Sequence, residues 1–134
     1  DYLAVRDFKG NESFASVKID NKNYFTVKTK SLGTYFIKND SISPKIKLHN
    51  FKNKDWISNK KIIRKKISDE DSGIKKYDVK INSKWMLFEY EYKKNELFYN
   101  FDSYFENKRE NLLEVIVEDM AGNKTIKEYT FFRN

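Results

Sequence analysis

Leu113-Glu114-Val115-Ile116-Val117-Glu118-Asp119-Met120-Ala121-Gly122-Asn123-Lys124-Thr125 decides the fold class. Leu113, Val115 and Val117 alternate with Glu114, Ile116 and Glu118. Successive side chains on a strand point to opposite faces, so this is a half-buried strand running into a turn. Tyr77, Val79 and Ile81 alternate with Asp78 and Lys80 in the same way. Val, Ile, Thr, Tyr and Phe fill the other apolar runs, as a pleated surface favours. Turn residues separate these runs at roughly ten-residue spacing, the rhythm of a sandwich or barrel. The clearest turns are Asp7 to Asn11, Asp20 to Asn23, Asp69 to Gly73, Lys93 to Asn95 and Ala121 to Asn123.

This pattern predicts strands over Tyr2–Arg6, Phe14–Ile19, Tyr24–Thr29, Thr34–Ile37, Lys45–Leu48 and Lys61–Ile67. Further strands are expected over Ile74–Ile81, Trp85–Tyr92, Glu96–Phe101, Leu112–Asp119 and Thr125–Phe132. The best helix candidate is Asp102–Asn111, a turn or two crossing between sheets. The organisational break is Asn39 to Pro44, which is polar and holds the one proline. Pro44 fixes its own φ and biases Ser43 toward extended geometry, which suits a linker into a new first strand. Residues 41–134 are then the right length for a sandwich domain, while residues 1–40 read as the closing strands of an upstream β-module. Lys65 falls between Ile63 and Ile67 on one strand face, and is expected to snorkel from the sandwich edge.

Composition narrows the chemistry. The 134 residues contain no cysteine, which removes disulfide frameworks, thiolate metal sites and thiol nucleophiles. One histidine, His49, excludes multi-histidine metal centres and makes a histidine-based triad improbable. No apolar run approaches the ~18 residues of a spanning helix, and Asp1 is not followed by signal-peptide features. Acidic residues are abundant, but no spacing singles out a general acid and base.

Three stretches carry a resemblance. Residues 113–125 resemble the "V-x-D-x-A-G-N-x-T" hairpin that closes many bacterial immunoglobulin-like (Ig-like) domains. Ile67-Ser68-Asp69-Glu70-Asp71-Ser72-Gly73-Ile74 resembles their "I-x-D-x-x-S-G-I" turn. Val79-Lys80-Ile81-Asn82-Ser83-Lys84-Trp85 resembles their "V-x-I-N-G-K-W" hairpin, with Ser83 in place of the glycine. More narrowly, Leu32-Gly33-Thr34-Tyr35, Ser43-Pro44-Lys45-Ile46, Trp56-Ile57-Ser58 and Thr130-Phe131-Phe132-Arg133 occur in that order. This order is similar to the C-terminal, non-catalytic region of lysostaphin/LytM-like zinc metallopeptidases of Gram-negative envelopes. The resemblance implies an all-β chain with an Ig-like β-sandwich, and a secreted, periplasmic or cell-surface location. It implies a non-catalytic accessory module whose partners are upstream domains of its own polypeptide and cell-wall glycan or a surface protein. That family's catalytic motifs need several His and an Asp, so with His49 alone this chain is not the enzyme. The alternative is a self-standing glycan-binding or adhesin module.

Four groups of residues are candidate sites. In an Ig-like sandwich the B–C and F–G loops share one end, which would bring Asp69, Glu70 and Asp71 near Asp119 and Asn123. Asp69, Asp71 and Asp119 could then offer oxygens to calcium. The plainer reading is turn capping by Asp119 and Asn123, with Gly73 and Gly122 supplying positive φ; no metal and no cofactor is expected. Trp85, Phe88, Tyr90 and Tyr92 could form a ring platform for sugars, against the plainer reading of core. Lys52, Lys54, Lys60, Lys61, Arg64, Lys65 and Lys66 are the densest basic segment of a chain carrying +7. No nucleic-acid recognition motif accompanies them, and lysines along strands also guard edges, so no specific nucleic acid is expected. His49 reads as structural or simply exposed.

Overall fold

The computed structural model describes residues 1–17 and 24–134. Among the described residues there is no α-helix. A small antiparallel sheet comes first, built from β1 (Tyr2–Arg6), β2 (Glu12–Val17) and β3 (Thr34–Lys38) in the order β2-β1-β3. Tyr2 and Ala4 are its buried side chains, and Tyr2 stacks on Phe14 at 5.8 Å. Gly33 precedes β3 because the β1 backbone passes so close that a Cβ there would collide with the Arg6 carbonyl oxygen.

The strand expected over Tyr24–Thr29 is not formed. Phe25 and Val27 still alternate with exposed Tyr24, Thr26 and Lys28. Phe25 makes an isolated bridge in place of a continuous ladder, and the Thr26 carbonyl accepts from the Ser16 hydroxyl at 2.7 Å. The expected turn Asp20–Asn23 lies outside the described residues, as does the end of the strand predicted over Phe14–Ile19.

The remaining strands are β4 (Lys45–Leu48), β5 (Asp55–Trp56), β6 (Ile62–Ser68), β7 (Ile74–Ile81), β8 (Lys84–Trp85), β9 (Glu89–Glu91), β10 (Glu96–Asn100), β11 (Glu110–Asp119) and β12 (Lys124–Phe132). They form two sheets, ordered β4-β6-β10-β9 and β5-β12-β11-β7-β8. Lettered in chain order with β5 and β8 as A′ and C′, these are A-B-E-D and A′-G-F-C-C′, the strand order of an Ig-like sandwich. Every pairing is antiparallel except β5 with the end of β12. The closing hairpin behaves as its alternation predicts. Leu113, Val115 and Val117 are buried, and Val115 lies between Val79 of β7 and Lys127 of β12 in register. Ile46, Ile63, Ile67 and Leu97 meet them from the other sheet. Burial of each such side chain contributes about 1.5–3 kcal/mol before chain entropy is counted.

Three further expectations, all on the sandwich, need correction. Lys65 does not snorkel: it is 0% exposed. β6 lies between β4 and β10, so no sheet edge is within the side chain's reach, and Phe51 and Tyr129 close over it. The strand expected over Trp85–Tyr92 is two short strands on different sheets. Met86 N still donates to Val79 O at 3.0 Å, then residues 86–88 cross to the other sheet, and a 3-10 turn (Tyr92–Lys94) follows β9. Asp102–Asn111 is not helical. Asp102 Oδ1 accepts from Tyr104 N and from the Tyr99 hydroxyl, and Phe105 turns inward against Phe101 at 4.7 Å. Those bonds and that ring burial leave no run of i→i+4 pairing.

Ser83, in place of glycine, still closes a tight two-residue turn. Asn82 and Ser83 take φ 52° and 66°, the positive values that a two-residue hairpin of this hand requires. The Asn82 side chain holds it, donating to Asn111 Oδ1 and accepting from Leu112 N, both at 2.9 Å.

Candidate functional site

The B–C loop, the F–G loop and the linker before β4 meet at one end of the sandwich. Ligand oxygens of Asp40, Asp69 and Asp119 lie within 4.8 Å of one another. Asp69 and Asp119 are two of the three expected residues. Asp40 takes the third place, because the Asp71 carboxylate points to Lys38 at 3.7 Å. Asp40 is legible in hindsight as the first residue of a side-chain turn, its Oδ1 accepting from Ile42 N at 3.0 Å.

Five of the six oxygens already hold donors. Asp40 Oδ2 accepts from Ser72 N and Ser72 Oγ at 3.1 and 2.5 Å. Asp69 Oδ2 accepts from Gly73 N at 2.7 Å and Asp71 N at 3.2 Å. Asp119 Oδ1 accepts from Asn123 N and its Oδ2 from Asn123 Nδ2, both at 2.8 Å. Gly122 takes φ 97° between them, as the turn reading expects. Asp69 Oδ1 alone is buried without a donor. Burial first, then the Asp40 and Asp119 charges, hold the Asp69 carboxyl above its ordinary pKa. Burial acts on Asp40 in the same sense, but the Ser72 and Ile42 bonds outweigh it and lower its pKa. An oxygen-seeking cation suits three carboxylates. The donors show that this set first of all ties three segments together, and Asn123 Nδ2 adds a bond to the Asp40 carbonyl at 3.1 Å.

The four rings expected as a platform are separated. Phe88 is 1% exposed and stacks on Tyr99 at 5.1 Å. Tyr90 is half-buried, edge-on to Tyr77 at 5.8 Å. Tyr92 is exposed in the 3-10 turn, and Trp85 is exposed on β8. Trp85 instead lines a cleft of about 290 Å³ with Lys84, Met86, Leu87, Asp102 and Tyr104. Tyr104 belongs to the aromatic-dense stretch that runs from Trp85 to Phe105 in the sequence, whereas Asp102 carries no signal beyond opening the segment read as a helix.

The basic segment does not make one face. Lys65 points into the core, and Arg64 pairs with Glu96. His49 Nε2 lies 3.1 Å from the same Glu96 carboxylate, which is buried, so the lone histidine covers that carboxylate beside Arg64. Lys65 Nζ has no hydrogen-bond partner, and sits 3.5 Å from the Phe51 ring centre and 4.1 Å from that of Tyr129. Burial lowers its pKa to about 7, against a smaller upward pull from Asp55.

No protein-family model matches this chain, and no curated protein is similar to it.

Proposed function

We propose that this chain is a non-catalytic accessory module of a secreted or cell-envelope protein, with its Ig-like sandwich holding a neighbouring unit at a set distance and angle. One observation carries the reading. The linker between the leading sheet and the sandwich is bonded into the sandwich's loops instead of running free. Asp40 is clamped by Ser72 and Asn123, and the Thr125 hydroxyl donates to the Pro44 carbonyl. Lys38 at the end of β3 reaches Asp71 of the B–C loop. A free polar linker would leave orientation to chain entropy, whereas these bonds restrict it. The sequence resemblance supports a cell-wall metallopeptidase as the parent protein. The residues here do not fit that family's zinc site, because one histidine, committed to Glu96, cannot supply its ligand set.

Spin labels at Lys9→Cys on the leading sheet and Lys94→Cys on the sandwich test the reading. A narrow distance distribution is expected, broadening in Asp40→Ala. A broad distribution in the otherwise unaltered chain would overturn it.

A further inference from the structure

The cleft beside β8 carries chemistry that the spacing role does not use. Trp85, Leu87 and Tyr104 are 57%, 64% and 70% exposed, and all three border the same hollow. Single exposed apolar side chains are ordinary, but several converging on one concavity mark a binding site. Buried Met86 forms part of the wall. The backbone that carries the two rings is held in place without any ligand. Tyr104 N donates to Asp102 Oδ1 at 3.0 Å, and the Tyr104 carbonyl accepts from Lys84 Nζ at 3.3 Å. Trp85 is fixed on β8, paired with Lys80 of β7. The lining therefore combines two aromatic residues and the apolar side chains of Met86 and Leu87 with one acidic and one basic residue, Asp102 and Lys84. Among the described residues, Asp102 Oδ2 has no donor, while Oδ1 is committed to Tyr99 and Tyr104.

We propose that this cleft binds a pyranose ring of a saccharide. A pyranose has the matching two-sided chemistry. Its axial C–H faces are apolar and pack on aromatic rings, and its equatorial hydroxyls donate to a carboxylate and accept from an ammonium. The volume sits near the lower end of the ~300–1,000 Å³ of ligand pockets, room for one or two sugar rings. A proline-rich peptide is the competing occupant of an aromatic cleft. It needs a run of successive grooves along an extended chain, and this hollow is a single one. Asp102 in the lining also disfavours a phosphate. The site is independent of the clamped linker, so either can fail without the other.

The test is titration of the whole chain with maltohexaose, cellohexaose and chitohexaose, followed by calorimetry, with a decaproline peptide alongside. Binding of at least one sugar in the sub-millimolar range is expected. Trp85→Ala and Tyr104→Ala should each weaken it about tenfold or more, as loss of one stacking ring does, with the melting temperature unchanged. Trp56→Phe, on the other aromatic cluster of this sheet, should leave it unaltered. No sugar bound at millimolar concentration, full affinity in Trp85→Ala, or decaproline bound in place of the sugars would each overturn the assignment.

Discussion

Two buried polar sites in this molecule are built in opposite ways. At the loop end, three carboxylates share five oxygens' worth of donors from Ile42, Ser72, Asp71, Gly73 and Asn123. In the middle of the sandwich, Lys65 is equally hidden and has ring faces but no acceptor. A buried group with its bonds made stabilises the segments it joins; one without them costs folding free energy and escapes part of that cost by losing its charge. The contrast shows that burial alone does not say whether a polar side chain holds a fold together.

Lys65→Met separates the two cases most sharply. The change keeps an unbranched four-atom stem and removes the amine, so stability at pH 6 should rise by about 2–4 kcal/mol, read from urea unfolding. In the unaltered chain the folded amine gives up its proton near pH 7, whereas the unfolded lysine keeps it to about 10.4. Between those values the unfolded chain binds more protons, so stability should climb as pH rises from 7 toward 9.5. Below pH 7 the cost stays fully present. The Met variant should lack that climb, and an unchanged slope would mean Lys65 keeps its charge in the core.

Asp119→Ala should act in the other direction, at about 1–3 kcal/mol, because the half-buried Asn123 N–H groups lose the buried carboxylate that accepts from them. A loss below about 0.5 kcal/mol would place the stabilisation elsewhere in the loop. Asp69→Asn is the finest probe. The amide can still accept from Gly73 N and Asp71 N, and its NH₂ would stand where the donorless oxygen faces two carboxylates. A raised acid pKa means that the folded chain takes up this proton first as pH falls. Stability therefore declines as pH rises from the ordinary carboxylate value through the folded one, and the decline is complete above it. Asp69→Asn should relieve it, gaining about 1 kcal/mol at neutral pH and nothing in acid below the ordinary value. Millimolar calcium should move neither melting temperature. A rise confined to the unaltered chain would make the cluster a cation site.

Much of the sandwich was legible because its strands alternate cleanly. β7 and β11 match their predicted spans to within two residues, and the turns at Gly73 and Gly122 carry the positive φ their sequence suggests. What escaped was non-local. Nothing in Ile63–Ile67 says that β6 is an interior strand, so the fate of Lys65 depended on pairing with β4 and β10. The apolar run from Trp85 to Tyr92 reads as one strand, since a change of sheet leaves no mark in the alternation. Asp40 joined the acidic set from far along the chain, and Tyr104 reached the cleft because Asp102 makes side-chain bonds that oppose helix. Sequence spacing reports the faces of an element well; it does not report which distant loops fold back to meet it.

The outermost strands of the larger sheet, β5 and β8, are two residues each. On the other sheet the outer strands β4 and β9 have four and three. A strand edge is a template on which a neighbouring molecule can add its own strand, and its hazard grows with the length of unpaired backbone it shows. These stubs present too few consecutive N–H and C=O groups for such growth. The longer open edge lies elsewhere: β5 covers only Phe131 and Phe132 of β12, and along residues 124–129 Lys124, Lys127 and Glu128 set charges against a second chain that would add its own strand.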